Sequence, residues 1–243
     1  MDELRKPFLT ARWVDLLMLN YQVSPELLAA YVPNGTQLDS FEGKTYMSLV
    51  GFWFRETKLF GKIGAPFHRE FPQINLRFYV RPTSASEDKR GVVFIAEIVQ
   101  KRMIALVAHI VYGEHYLCRT VKTRDALESE RRVLEYGWQS ENSWCNLAAK
   151  EISSAACNFS PGTLEHFLVE RYWGYTAQPN GGCIEFNVVH PVWKVLHCSG
   201  AAFVGDPRPE YGPEIASVLR AKPSAAFVVD GSAVTVCSGA KIA

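Results

Sequence analysis

The feature that most constrains this chain is a periodicity. Apolar and polar residues alternate with a period near two, or run as short apolar stretches, and turn residues bound nearly every such segment. At that period successive side chains point to opposite faces of an extended backbone. Strands are expected over 16–23, 37–41, 45–58, 73–81, 92–101, 116–122, 130–138, 143–153, 170–177, 183–190, 193–204, 225–229 and 233–238. Glu42-Gly43, Ser140-Glu141-Asn142 and Asn180-Gly181-Gly182 supply turns suited to hairpins. Helical signals are few. Ser24-Pro25-Glu26 sets an N-cap serine before a proline, and Leu27, Leu28 and Tyr31 follow at helical spacing up to Pro33-Asn34-Gly35. Ser160-Pro161-Gly162-Thr163 repeats that start signal ahead of Leu164, Phe167 and Leu168, and two further helices are expected over 103–112 and 213–220. Without regular strand–helix alternation, a doubly wound parallel sheet is disfavoured. The pattern predicts an α+β, mostly β fold, a closed β-barrel of antiparallel strands with a few short helices, spanning 1–243 as one domain.

Charge and composition narrow the partners. Lys+Arg 26 against Asp+Glu 25 leaves +1, so the chain has no net field to attract nucleic acid. With 48% hydrophobic residues it can fill a sizeable core. The start, Met1-Asp2-Glu3-Leu4-Arg5-Lys6-Pro7, lacks the pattern of a secretory signal. The longest apolar stretches, 92–99 with Glu97 inside and 103–112 with His109 inside, fall short of the roughly 20 residues of a spanning helix. A cytoplasmic protein with no membrane segment is expected. Cys118, Cys145, Cys157, Cys183, Cys198 and Cys237 form no C-x-x-C pair and are read as reduced thiols, mostly in the core.

The motifs that are missing also count. There is no phosphate-cradling glycine loop, no G-x-S-x-G and no H-E-x-x-H, and His68, His109, His115, His166, His190 and His197 show no ligand spacing. No metal and no cofactor is expected. The informative residues are charges that interrupt apolar strands. Glu97 sits inside Val92-Val93-Phe94-Ile95-Ala96-Glu97-Ile98-Val99, and Gln100-Lys101-Arg102 follow. A buried glutamate needs a cation or water, and Arg77, within Ile74-Asn75-Leu76-Arg77-Phe78, is the candidate partner. In a fully extended strand Glu97 and Lys101 share one face while Gln100 and Arg102 share the other, so Lys101 and Arg102 reach one pocket only if the strand bulges or ends between them. Two readings remain open. In one, Lys101 is an amine kept partly neutral by burial and an adjacent cation, able to attack a ketone as a Schiff-base nucleophile. In the other, Arg77 and Glu97 are a structural ion pair beside a solvated Lys-Arg strand end, and the residues alone favour this one.

Several segments carry a resemblance. Pro33-Asn34-Gly35-Thr36-Gln37-Leu38-Asp39-Ser40-Phe41-Glu42-Gly43-Lys44, Asn75-Leu76-Arg77-Phe78-Tyr79-Val80-Arg81, Gly91-Val92-Val93-Phe94, Glu170-Arg171-Tyr172 and His190-Pro191-Val192-Trp193 together resemble the YqjF-like family of bacterial proteins, in order over about 13–236. That family is similar in fold to acetoacetate decarboxylase, which implies a closed, cavity-containing barrel. In that enzyme a strand ends Pro-Lys-Lys, the first lysine forming the Schiff base and the second depressing its pKa. Gln100-Lys101-Arg102 is similar in place and charge, with Gln100 where the enzyme has proline. The resemblance implies Lys101 as nucleophile and Arg102 as the tuning cation. Gln73 stands where the enzyme has a pocket glutamate, leaving Glu97 or Glu70 to move protons and Arg77 to hold a substrate carboxylate. The expectation is a lyase acting on a small keto acid, set against a non-catalytic barrel in which Arg77, Glu97 and Arg102 form a polar cluster. Expected partners are a small-molecule ligand and copies of the chain itself. The family segments Glu170-Arg171-Tyr172 and His190-Pro191-Val192-Trp193 are read as packing.

Overall fold

The computed structural model describes residues 6–59, 63–64, 69–84, 89–100, 115–141 and 143–242. In chain order these form β1 (Pro7–Val23), α1 (Pro25–Leu28) running into a 3-10 turn (Ala29–Tyr31), β2 (Thr36–Leu38), β3 (Thr45–Leu59), β4 (Ile63–Gly64), β5 (Phe71–Pro82), β6 (Gly91–Val99), β7 (Tyr116–Cys118), β8 (Val121–Glu128), β9 (Arg131–Gln139), β10 (Trp144–Ile152), α2 (Leu164–Val169), β11 (Trp173–Ala177), β12 (Cys183–Val189), β13 (Val195–His197), β14 (Ser199–Val204), α3 (Arg208–Leu219), β15 (Ala225–Cys237) and β16 (Ala240–Lys241). The fold is α+β and mostly β, as the periodicity predicts. The helix expected over 103–112 lies outside the described residues.

Twelve strands make one sheet in the order β13-β15-β1-β3-β5-β6-β11-β12-β16, with β2, β4 and β7 added beside β5, β3 and β6. β12 also pairs with β15 through Val188↔Val236 and Val189↔Thr235, so the ladder returns to its start as a ring. Strand pairing is mostly antiparallel; the exception is β6, which takes both β11 and β7 in parallel. A second, four-stranded sheet, β14-β10-β9-β8, is wholly antiparallel.

Strand alternation feeds two cores from the same strands. Leu17 and Leu19 of β1, Met47 and Leu49 of β3 and Ile74, Leu76 and Phe78 of β5 pack with Leu134, Tyr136, Trp138, Leu147 and Phe203 of the smaller sheet. From the opposite face, Leu16, Met18, Val50, Phe52 and Phe227 join Phe167 and Leu168 of α2. The first interface is tight at Gly51, where an added Cβ would lie 2.5 Å from Cγ of the fully buried Tyr136. Gly51→Val should therefore cost about 1–3 kcal/mol by overpacking, read as a lower urea midpoint.

Two expected strands, 116–122 and 193–204, each divide between the two sheets, as β7 with β8 and as β13 with β14. The opposite happens at 225–229 and 233–238, which form one strand, β15. There Gly231 takes φ 75, and a Cβ would come within 2.1 Å of the Trp13 carbonyl oxygen, so only glycine lets the backbone pass without a break.

Candidate functional site

The sequence of β5 alternates Gln73, Asn75, Arg77 and Tyr79 with Ile74, Leu76, Phe78 and Val80. In an ordinary half-buried strand the polar set would meet water. Here both sets are buried, the apolar one against the smaller sheet and the polar one on the opposite face. Register carries this polar face across neighbouring strands: Asn20↔Ser48↔Arg77↔Phe94 is one row, and Met18↔Val50↔Asn75↔Glu97 is the next. Ser48 Oγ donates to Asn20 Oδ1 at 2.6 Å and lies 2.5 Å from the Tyr79 hydroxyl. Since the single Ser48 proton is spent on the amide oxygen, Tyr79 is the donor in the second bond. Asn20 Nδ2 donates onward to the Ala225 carbonyl at 3.2 Å.

Arg77 is 9% exposed and does not pair with Glu97, which corrects the ion pair expected from sequence. The reason is register: β5 and β6 pair Asn75 with Glu97 and, across a bulge, Arg77 with Phe94, so Glu97 lies opposite Asn75 and accepts a hydrogen bond from Gln73 Nε2. Arg77 Nη2 instead donates to the Leu168 carbonyl at the end of α2, 3.3 Å away, and approaches Met18 Sδ at 3.9 Å. Its Nε and Asn75 Oδ1 are buried with no hydrogen-bond partner among the described residues. Glu70 is exposed, one residue before β5 begins. β6 ends at Val99 with Gln100 in a bend, and Lys101 and Arg102 lie outside the described residues.

Residues of the segments expected to serve packing, 170–172 and 190–193, also converge here. Arg171, 5% exposed, bonds Asp39 Oδ2 through Nη1 at 2.6 Å and the Phe167 carbonyl through Nε at 2.6 Å, with its Cζ 4.1 Å from the Phe167 ring centroid and 4.9 Å from that of Tyr79. Burial pulls its guanidinium down to about 10, while Asp39 acts in the other direction. The Arg77 Cζ lies 5.9 Å from the same Tyr79 ring. His190, 8% exposed, stacks on Trp193 at 3.8 Å and on Tyr172 at 4.5 Å, and Tyr172 donates its hydroxyl proton to Glu170. Burial holds the imidazole below the ordinary histidine range. His190 also lines an open cleft of about 550 Å³ with Thr10, Arg12, Lys58 and Thr235. These groups come from separate segments, and no local spacing announces them. The thiols are poor nucleophiles where burial raises them, Cys145 to about 12 and Cys183 and Cys198 to about 11. Among the described residues no three potential ligands cluster for a metal, and no helix is long and apolar enough to cross a membrane.

The fold is the acetoacetate-decarboxylase-like one, as solved structures show. The acetoacetate decarboxylase of Legionella pneumophila superposes with a TM-score of 0.69 at 10% identity, over 97% of this chain and 87% of that one. The enduracididine biosynthesis enzyme MppR complexed with pyruvate gives 0.67 at 10% identity, over 100% and 93%. An acetoacetate decarboxylase-like enzyme from Sphingomonas wittichii gives 0.66 at 13%, over 96% and 92%. Residues 10–220 match the family DUF2071, described as an uncharacterized conserved protein, and the chain belongs to that family. The uncharacterized protein YqjF of Bacillus subtilis is 26% identical over 170 residues, 69% of this chain and 67% of its own length.

Proposed function

We propose that the ring is a closed barrel, that 1–243 works as one domain around it, and that its interior binds a small organic acid whose carboxylate is taken by Arg77. One observation carries this reading: a buried guanidinium with no carboxylate against it among the described residues and with its Nε unbonded, on a strand face that also carries an unbonded Asn75 oxygen. A buried cation is costly until an opposite charge reaches it, and a guanidinium fork matches a carboxylate in geometry. Gln73 and Glu97, further along the same face, are polar enough to orient the rest of such a ligand. The likeness to a protein complexed with pyruvate makes a short keto acid the first ligand to try. Calorimetric titration with pyruvate and acetoacetate should show saturable binding; a flat response to a panel of short keto acids would overturn the reading.

The catalytic extension of the same site makes Lys101 a Schiff-base nucleophile, with Arg102 depressing its proton affinity and Glu97 moving protons. Its support is the fold shared with enzymes and the position of Glu97 on the polar face, four residues before Lys101. Glu70, exposed, is a weaker choice for the proton role. We favour binding without covalent chemistry, because the Glu97 carboxylate is already engaged by Gln73. Borohydride added with pyruvate, followed by intact mass measurement, should then leave the mass unchanged. An adduct that disappears in Lys101→Ala would establish the imine instead.

A further inference from the structure

The cleft bordered by β1, β3, β15 and the end of β12 lies apart from Arg77. Thr10 and Arg12 of β1 alternate with Leu9 and Trp13, which pack on the core that includes Met18. Arg77 approaches Met18, so the cleft opens on the opposite face of the sheet from Arg77. Register sets its side chains in rows. One row, Val189↔Thr235↔Thr10↔Lys58, crosses four strands and spans about 14 Å at the usual strand spacing. Arg12 and Ala233 belong to the next row, with Pro191 two residues beyond Val189. The order is chemical as well as spatial. Val189, Pro191 and Ala233 make one end apolar, the hydroxyls of Thr235 and Thr10 occupy the middle, and Arg12 and Lys58 make the other end cationic.

The cationic end has charge to spare. Arg12 and Lys58 are exposed and belong to none of the ion pairs among the described residues, and Glu56, at the same end, pairs with neither. Arg55 adds to the excess, because β1 and β3 set it directly opposite Arg12, and like charges so placed cost stability until an anion stands between them. Asp125, the carboxylate within electrostatic reach of Arg55, is already bonded by Arg132. The apolar end is fixed in place. Val189 is 53% exposed, yet the segment that follows it is pinned: His190 stacks on Trp193 at 3.8 Å, and Trp193 Nε1 donates to Ser232 Oγ at 2.8 Å, next to Ala233. A wall already ordered loses little freedom when a ligand settles on it. We infer that this cleft binds a small amphipathic carboxylate, its apolar body along Val189, Pro191 and Ala233 and its head at Arg12 and Lys58. The volume, about 550 Å³, is one that small organic ligands fill. Length sets this ligand apart from a short keto acid, which cannot touch Lys58 and Val189 together. The inference is independent of the reading of Arg77.

Straight-chain carboxylates are the probe. Calorimetric titration of the full chain with hexanoate, octanoate and decanoate should show saturable binding that tightens about threefold per added methylene. Acetate, a head without a body, and decanol, a body without a charge, should each bind about tenfold or more weakly than decanoate. Arg12→Gln combined with Lys58→Gln should weaken decanoate about tenfold, the scale of two solvent-exposed charge contacts, and since both side chains are exposed the urea midpoint should not move. Val189→Thr, which exchanges a methyl for a hydroxyl at constant shape, should weaken it about threefold. In wild-type protein the backbone amide resonances of Val189, Thr235 and Thr10 should shift saturably with decanoate, a readout that needs no variant. No saturable binding, or equal affinity in the double variant, overturns the inference. So do shifts centred on β5, which would put the acid beside Arg77.

Discussion

Asp39→Ala should cost about 3–5 kcal/mol of folding free energy, a large share of what holds an ordinary domain together. Asp39 is the counter-ion of Arg171, at 2.6 Å, and both are nearly out of solvent. Without the carboxylate, Arg171 keeps the Phe167 carbonyl and the ring faces of Phe167 and Tyr79, none of which carries a full negative charge. Arg90, whose Nε is 4.0 Å from Asp39 Oδ2, would then face another cation. The geometry leaves little room to adapt, because the Asp39 backbone N–H is tied to the Tyr79 carbonyl at 2.9 Å and its Oδ1 accepts from the Ser40 N–H at 3.1 Å. Asp39→Ala combined with Arg171→Met should recover most of the loss, since removing both charges leaves no buried ion behind. Urea unfolding of the two variants checks this. A single-variant loss under about 1 kcal/mol, the size of an exposed pair, would mean that water reaches Arg171 in solution.

How much of this was legible in the sequence depends on how local each determinant is. β3, β5, β9 and β10 were legible because an alternating run between turn residues contains all the information a strand needs. The first half of β1 was not. Arg12 and Asp15 break its pattern, and Asp15, at φ 55 in a bulge between Val14 and Leu17, meets Arg132 of the smaller sheet at 2.7 Å. Runs that pass from one sheet to the other, β7 to β8 and β13 to β14, look continuous, since a period of two reports which way side chains alternate and nothing about which sheet receives them. The site divides in the same way. Arg77, Glu97 and Gln73 stand out as polar residues in apolar company, and all three are buried. Their pairing could not be read, because it depends on the register between β5 and β6, which sets Glu97 opposite Asn75 and which nothing local to either strand reports. Asp39 and His190 lie outside the strands and acquire their roles only where distant segments meet.

Arg77→Met should separate binding from folding. The guanidinium contributes one hydrogen bond, to the Leu168 carbonyl, and a long contact to Met18 Sδ, while bearing the desolvation cost of a charge that is 9% exposed. Methionine fills a similar volume beside Met18 without that cost, and the lost donor is worth about 1 kcal/mol. Stability should therefore stay within about 1 kcal/mol of wild type or rise. Pyruvate affinity should fall by about 100-fold or more, the scale seen when one partner of a desolvated charge pair is removed. Arg171 and Arg77 approach the same Tyr79 ring, with Cζ atoms 4.9 and 5.9 Å from its centroid, yet the fold supplies a carboxylate to the first and none, among the described residues, to the second. If Arg77→Met destabilised the protein as much as Asp39→Ala, Arg77 would be a structural cation; if it left pyruvate binding unchanged, the acid would sit elsewhere. Stability retained and binding lost, measured on one preparation, would identify the counter-ion of Arg77 as one that arrives from solution.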